Sequence, residues 1–274
     1  MVNKNDSCTY SISQEDILSG KWAVFQSKRM DIERQKLWAR RMLSEADSID
    51  WECWPKCNLS GKALEKEKLL YQSFFYETAL IYYNIVVDLS LTFCFMSAKL
   101  LIENQTQDSD TIRSIDEVYD FLRNNEDKSA FPTKKYDSFK IMCEKCPEFQ
   151  KPISIIEGFW DSFKESTIRK AYNFTKHRGK IAYNEIDSII GNRMNAIVQT
   201  ETSISHIPIY SEDVGFKKSF REGISELKEF DESILTPYLF TLFNEVAAVL
   251  FHAKNNKSNN NHNIIRFPRQ QAVT

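Results

Sequence analysis

Residues 169–180 read RKAYNFTKHRGK and set one histidine among five basic side chains. At 3.6 residues per turn Arg169, Asn173 and His177 follow one another at i, i+4 and i+8, so on a helix they form one polar stripe. An imidazole near guanidinium groups is equipment for a phosphodiester. Imidazole changes charge near neutral pH and can take or give a proton. A guanidinium can grip a phosphate through two hydrogen bonds and stabilise the charge that develops on it, while Asn173 would orient the histidine or a phosphate oxygen. The spacing also drifts toward the apolar face, which sets His177 level with Phe159 at the border. Arg178 and Lys180 fall where this helix should end, and cations are favoured there by the helix dipole with no ligand at all. The stripe is therefore either a phosphate site or the solvated end of a helix.

Little else in the chain looks like chemistry. Glycine and proline number only seven each among 274 residues, which disfavours a turn-rich β fold and a Gly-rich phosphate loop. No G-x-G-x-x-G, G-x-x-x-x-G-K-[ST] or H-E-x-x-H occurs, and no cofactor is implied. A net charge of −2 gives no overall pull toward nucleic acid, so RNA binding must rest on local patches. One such patch is the polar face of residues 15–47, where Lys21, Lys28, Arg29, Arg34, Lys36, Arg40 and Arg41 stand against Asp31 and Glu33. It is either a solvated face or a surface for an acidic partner or RNA. Cys53 and Cys57, and Cys143 and Cys146, make two close pairs. Zinc accepts four thiolates at such spacings, but no glycine follows either pair to shape a thiolate knuckle, so free thiols are the expectation and no metal site is assigned.

The elements that must position these residues read as helices. Residues 15–47 carry Leu18, Trp22, Phe25 and Ile32 at helical spacing, followed by a second apolar patch at Leu37, Trp38 and Met42. Residues 62–104 are apolar around the whole circumference and predict a central helix. Its stripe Glu77, Asn84 and Asp88 should meet basic or hydroxyl groups on a neighbour. Residues 79–98 are the one membrane candidate, and Asp88 near the middle argues for a buried core helix instead. Ser114 and Glu117 form a capping box for a further helix, and YDSFKIMCEKC predicts a short one. Pro152 opens a helix running to Gly179 unless Gly158 bends it. A short β-hairpin or irregular insertion is expected around residues 190–212. The helical pattern resumes at 215–254, with Pro237 separating two helices. The expectation is a mostly all-α multi-helix bundle, with residues 1–254 as a single domain and residues 255–274 as an Asn-rich flexible tail. A polar N-terminus without an apolar signal segment points to the cytoplasm and away from a membrane.

On a helix, YNFTKHR resembles the signature of the HEPN superfamily, helical-bundle proteins common in toxin–antitoxin and phage-defence systems. The usual pattern is an arginine, often a polar residue next to it, and then a histidine a few residues on. Asn173 and His177 match the polar residue and the histidine, while Tyr172 stands where the family has its arginine. Arg169 lies further back than the usual spacing, and Arg178 is on the other side of the histidine. The resemblance implies a helical bundle and, in active members, a metal-independent endoribonuclease whose composite site forms across a dimer. It would make Arg169, Asn173 and His177 catalytic, with Arg178 and Lys180 beside them binding RNA, while Lys28, Arg29, Arg34, Arg40 and Arg41 are the RNA-binding candidates of the basic face of residues 15–47. It would also pair two copies through the helix bearing His177. With tyrosine at the arginine position, the stretch reads more as a relic or a binding surface in regulation or defence, acting on RNA or a protein partner. A helical scaffold without any catalytic site is the other reading.

Overall fold

The computed structural model describes residues 10–11, 21–48, 60–106, 146–177, 181–190, 193–199, 204–210, 217–251 and 264–265. Predictions that fall on Ser114–Glu117, YDSFKIMCEKC up to Lys145 and most of the Asn-rich tail lie outside them. The described chain is mostly all-α, as the hydrophobic periodicity predicts. Helix α1 spans Lys21–Asp47 without interruption, and α2 spans Gly61–Thr106. Neither contains proline, and the only glycine is Gly61 at the start of α2 (φ +58°), so nothing within either sequence breaks the hydrogen-bond ladder. A short 3₁₀ turn, Pro147–Phe149, leads into α3 (Gln150–Phe163), and α4 is Thr167–His177. The α5 helix is Asn184–Ile190 and α6 is Phe220–Glu229. A π-helical stretch, Phe230–Leu235, joins α6 to α7 (Thr236–Leu250).

The expected hairpin is present. Strands β3 (Arg193–Gln199) and β4 (Ile204–Tyr210) pair antiparallel, with Arg193 opposite Tyr210 and Gln199 opposite Ile204. Two shorter pairs complete the strands: β1 (Tyr10–Ser11) with β6 (Ile264–Ile265), antiparallel, and β2 (Ala182–Tyr183) with β5 (Lys217–Lys218), parallel.

One sequence expectation is corrected. The helix that Pro152 opens does not run to Gly179 or bend at Gly158; it stops at Phe163 and restarts at Thr167. A side chain at Gly158 would meet nothing within 4 Å, so that glycine is an exposed helical position and not a hinge. Ser166 makes the break. Its hydroxyl donates to the Phe163 carbonyl (2.7 Å) and accepts from the Arg169 N–H (3.1 Å), closing one helix and capping the next. Pro237 does stand where a second helix begins, in the first turn of α7, and a π-helical stretch joins α6 to it.

The fold divides into two compact units, with α1, α2 and α3 each contributing residues to both. The first comprises Met1–Glu33, Val87–Trp160 and Thr236–Thr274. Its core is aromatic: Phe25 meets Phe93 (5.3 Å between ring centroids) and Phe251 (5.5 Å) edge-on, and Phe93 meets Phe243 (5.2 Å). Phe159 stacks on Tyr238 at 3.9 Å, and the Tyr238 hydroxyl shares a hydrogen bond of 2.8 Å with Ser90. Cys94 is buried here, as its place in an apolar helix predicts. By length and composition Gly61–Ala98 and Phe220–Leu250 are apolar enough to cross a membrane, a property shared by the core helix of a soluble domain.

The second unit, Arg34–Val86 and Asp161–Leu235, is organised around α2. Glu77 accepts the Tyr183 hydroxyl (2.9 Å) and Asn84 accepts the Arg169 guanidinium (2.9 Å), so these two members of the polar stripe meet the hydroxyl and basic partners their burial demands. Burial first, then the charge of Glu77 and the hydrogen bond to it, push ionisation of Tyr183 well above the ordinary phenol range. Gly223 lets α6 approach α2 closely: a Cβ there would lie 2.5 Å from the Tyr76 hydroxyl and 2.6 Å from the ring. That hydroxyl is buried and makes no hydrogen bond. Glu185 on α5 crosses to the start of α6, where its carboxylate accepts from the Ser219 hydroxyl (2.6 Å) and from the N–H groups of Phe220 (3.3 Å) and Arg221 (3.4 Å). The Ser219 hydroxyl also accepts from the Glu222 N–H and completes the cap.

Two stability predictions follow from these contacts. Gly223→Ala should cost about 1–3 kcal/mol in urea unfolding, because the ring of Tyr76 has to move. Tyr76→Phe, which removes only the unpaired buried hydroxyl, should be neutral or stabilising. The Glu185 carboxyl is pushed up by burial, but the hydroxyl of Ser219 and the N–H groups of Glu185 itself, Arg221 and Phe220 outweigh this and hold it below the ordinary value. With the folded value depressed, its contribution is complete above the unfolded glutamate value of about 4.3 and is lost as pH falls through the folded one. Glu185→Gln should therefore destabilise by about 1 kcal/mol at neutral pH. The gap to wild type should close on acidification below about pH 4, as followed by urea midpoints at each pH.

Candidate functional site

Helix α4 carries the predicted stripe, and the cap at Ser166 sets how that helix is turned. Ile168, Ala171 and Tyr172 face inward and are buried. Arg169 is half-buried, whereas Asn173 and His177 are exposed. His177 is thus on the outward side, not at the apolar border that counting through an unbroken helix predicts, because the interruption at residues 164–166 resets the count.

Arg169 is an internal tie. Its Nη1 donates to Asn84 Oδ1 at 2.9 Å, and its guanidinium lies over the rings of Tyr172 (5.1 Å) and Phe163 (5.9 Å). Asn84 is wholly buried and uses its own Nδ2 on the Leu80 carbonyl at 2.9 Å. One cation thereby satisfies a buried amide and covers two aromatic faces. Along the helix Arg169 and His177 are eight residues apart, an axial rise of about 12 Å, too far to grip one phosphate together. Outward on α4 stand Lys170, Asn173, Lys176 and His177. Lys170 reaches Glu165 at 3.6 Å, and Lys176 lies 5.8 Å from the Tyr172 ring centre. Arg178 and Lys180 lie outside the described residues.

The basic face of α1 is largely engaged within the protein. Lys28 is buried and pairs with Asp31 at 3.7 Å, and Arg29 pairs with Glu33 at 2.8 Å while lying over Phe243. Lys36 (3.3 Å) and Arg40 (2.5 Å) both reach Asp231, and Arg41 pairs with Glu45. Arg34 is exposed. Asp231 is the residue that sequence reasoning missed: it is only 4% exposed and sits in the π-helical stretch. Burial would lower the ionisation range of Arg40, but its hydrogen bond to Asp231 and the carboxylate charge raise it. The Tyr83 hydroxyl sits by the same carboxylate without a hydrogen bond of ordinary geometry, and burial followed by that charge drives its ionisation far up. The signal available in the sequence was an aspartate between apolar Phe230 and Leu235, with two cations four residues apart elsewhere to meet it.

Among the described residues no group of three or more His, Cys, Asp or Glu side chains is placed to hold a metal ion. Cys146 is buried and donates its thiol to Glu148 Oε2 at 3.3 Å. Burial and the Glu148 carboxylate push that thiol up to about 11. Cys53, Cys57 and Cys143 lie outside the described residues. No family model, no curated protein and no solved structure matches the chain.

The tie predicts a stability phenotype. Arg169→Ala should cost about 1.5–3 kcal/mol, the loss of a charge-assisted hydrogen bond that leaves a buried amide oxygen unmet. His177→Ala should stay within about 0.5 kcal/mol of wild type. Urea denaturation of the two variants compares them directly, and a neutral Arg169→Ala would refute the structural role.

Proposed function

We propose that this chain is a HEPN-like helical protein without ribonuclease chemistry, which works by contact with RNA or with another protein. The observation behind this reading is the commitment of Arg169 to Asn84, Tyr172 and Phe163. Cleavage by a 2′-hydroxyl needs a proton acceptor and a phosphate-gripping cation at one place. Here the cation of the stripe is spent on the protein's own interior. Tyr172, at the position of the family arginine, is buried and turned inward. What α4 offers outward is Asn173, Lys176 and His177, an assortment suited to touching a partner, including a second copy through the same helix. The regulatory or defence setting is the one the resemblance to HEPN proteins supplies.

The test is RNA cleavage in EDTA by wild type and His177→Ala at equal concentration. Neither should cleave. Metal-independent cleavage by wild type that is lost in His177→Ala would overturn the reading and restore His177 as a catalytic residue.

A further inference from the structure

Strands β3 and β4 lie in the second unit and pack chiefly on each other, and among the described residues neither has a further strand beside it. A two-stranded hairpin on its own is marginal in water, and a third or fourth strand is what makes such a sheet stable. The two free edges differ. The register runs without a bulge from Arg193–Tyr210 to Gln199–Ile204 and passes through the pair Asn195–Pro208. Proline has no N–H, so an unbroken ladder seats it where the backbone groups point away from the neighbouring strand. The outer edge of β4 therefore lacks a donor at Pro208, a common guard against further pairing. Alternation then turns the N–H and C=O groups of Arg193, Asn195, Ile197 and Gln199 to the outer edge of β3. That edge contains no proline, no glycine and a single charge, at Arg193. It is unguarded.

We propose that the outer edge of β3 pairs with β3 of a second copy of the chain, antiparallel about a two-fold axis at Ala196, to make a four-stranded sheet. The strand matches its own inverse. About Ala196 all seven residues of β3 find a place opposite another. Arg193 meets the partner's Gln199, Met194 the partner's Val198 and Asn195 the partner's Ile197. The first and third of these pairs set outward backbone groups against outward groups, so each exchanges both hydrogen bonds. Ala196 falls opposite the partner's Ala196 at a non-hydrogen-bonded position, where Cα atoms approach to about 4.5 Å and a small residue fits. An axis on any other residue leaves part of the strand unpaired. The two Arg193 residues stand at opposite ends, so no like charges face each other. By alternation Met194, Ala196 and Val198 share one face of β3, with Ile209 and Ile207 beside them on β4. The two-fold turns that face the same way in both hairpins and makes it continuous. The match of β3 to itself selects a second copy over a strand of another protein. The proposal rests on the reading that the chain works by contact, and names the partner and the edge that receives it.

The experiment measures the mass of the full chain by light scattering on a sizing column. Wild type should run at twice the 32.1 kDa of one chain. Ile197→Pro removes one outward N–H from β3, leaves the hairpin's own ladder intact and should halve the measured mass. His206→Pro makes the same change directly across the ribbon, on the outer edge of β4, and should leave the dimer unchanged. Ala196→Cys should give a disulfide-linked dimer on mild oxidation, because a pair on the axis comes within the span a disulfide needs. Asn195→Cys, one residue off the axis, should link no more than wild type. A proline variant that loses its helical circular dichroism is set aside, and the cysteine pair then decides alone. The proposal is overturned by a monomeric wild type, by a dimer that survives Ile197→Pro, or by a folded His206→Pro that is monomeric. It is also overturned if Ala196→Cys links no more than Asn195→Cys. Failure here with no cleavage in EDTA leaves the contact reading standing and removes only this interface; cleavage in EDTA removes the contact reading itself.

Discussion

A guanidinium can satisfy a buried amide or an incoming phosphate, and Arg169 satisfies the amide. Asn84 is wholly buried in the middle of α2, where an unmet carboxamide oxygen would cost roughly 1–3 kcal/mol. Arg169 removes that cost from α4, and the aromatic faces of Tyr172 and Phe163 shield the charge as it does so. The contact thereby fixes which side of α4 turns toward α2. Asn173 at i+4 and His177 at i+8 drift about 40° per step around the helix from Arg169, and both are exposed.

The fold class was legible because its signal is local and repeated. A central helix over Gly61–Thr106 follows from its apolar run, whereas the apolar spacing of residues 15–47 fits one helix or two with a shift of face, and the structure has one over Lys21–Asp47. The hairpin near residues 193–210 follows from a β-branched run. Within the site, the stripe itself was legible and its orientation was not. Whether His177 faces the core depends on the register of α4, and that register is reset by a three-residue turn whose cause is one serine hydroxyl. Gly158 drew attention as the weak point because glycine costs about 1 kcal/mol in a helix. Ser166, an ordinary residue in a polar run, is the one that acts. A cap is a matter of two hydrogen bonds, and composition does not announce it.

The electrostatics were less legible for a different reason. A basic face read from α1 alone looks like a surface waiting for an anion, since its cations outnumber Asp31, Glu33, Glu45 and Asp47. The missing partner is Asp231, 191 residues from Arg40 in sequence. Nothing local to either residue reports the other. Once Asp231 is placed, Lys36 and Arg40 change from candidate RNA ligands into the groups that let a carboxylate be buried. A charge run on a helix thus separates into cations that serve the interior and cations that remain outside, and only the second group bears on binding.

Asp231 in turn depends on the π-helical stretch. Through α6 the buried positions Phe220, Gly223, Ile224 and Leu227 keep α-helical spacing, and Phe230 and Asp231 continue it. The next buried residue is Leu235, five beyond Phe230, and α-helical spacing resumes at Leu239, Leu242 and Val246. Had the helix kept 3.6 residues per turn, Ile234 would follow Phe230 into the interior. Instead Ile234 is exposed and Leu235 takes the place. A wider turn spends one extra residue to change face. The π-helical stretch holds Asp231 buried in the unit built around α2. The apolar pattern of residues 220–250 contains this shift as a single misplaced isoleucine, a departure that only becomes informative when the buried carboxylate beside it has been found.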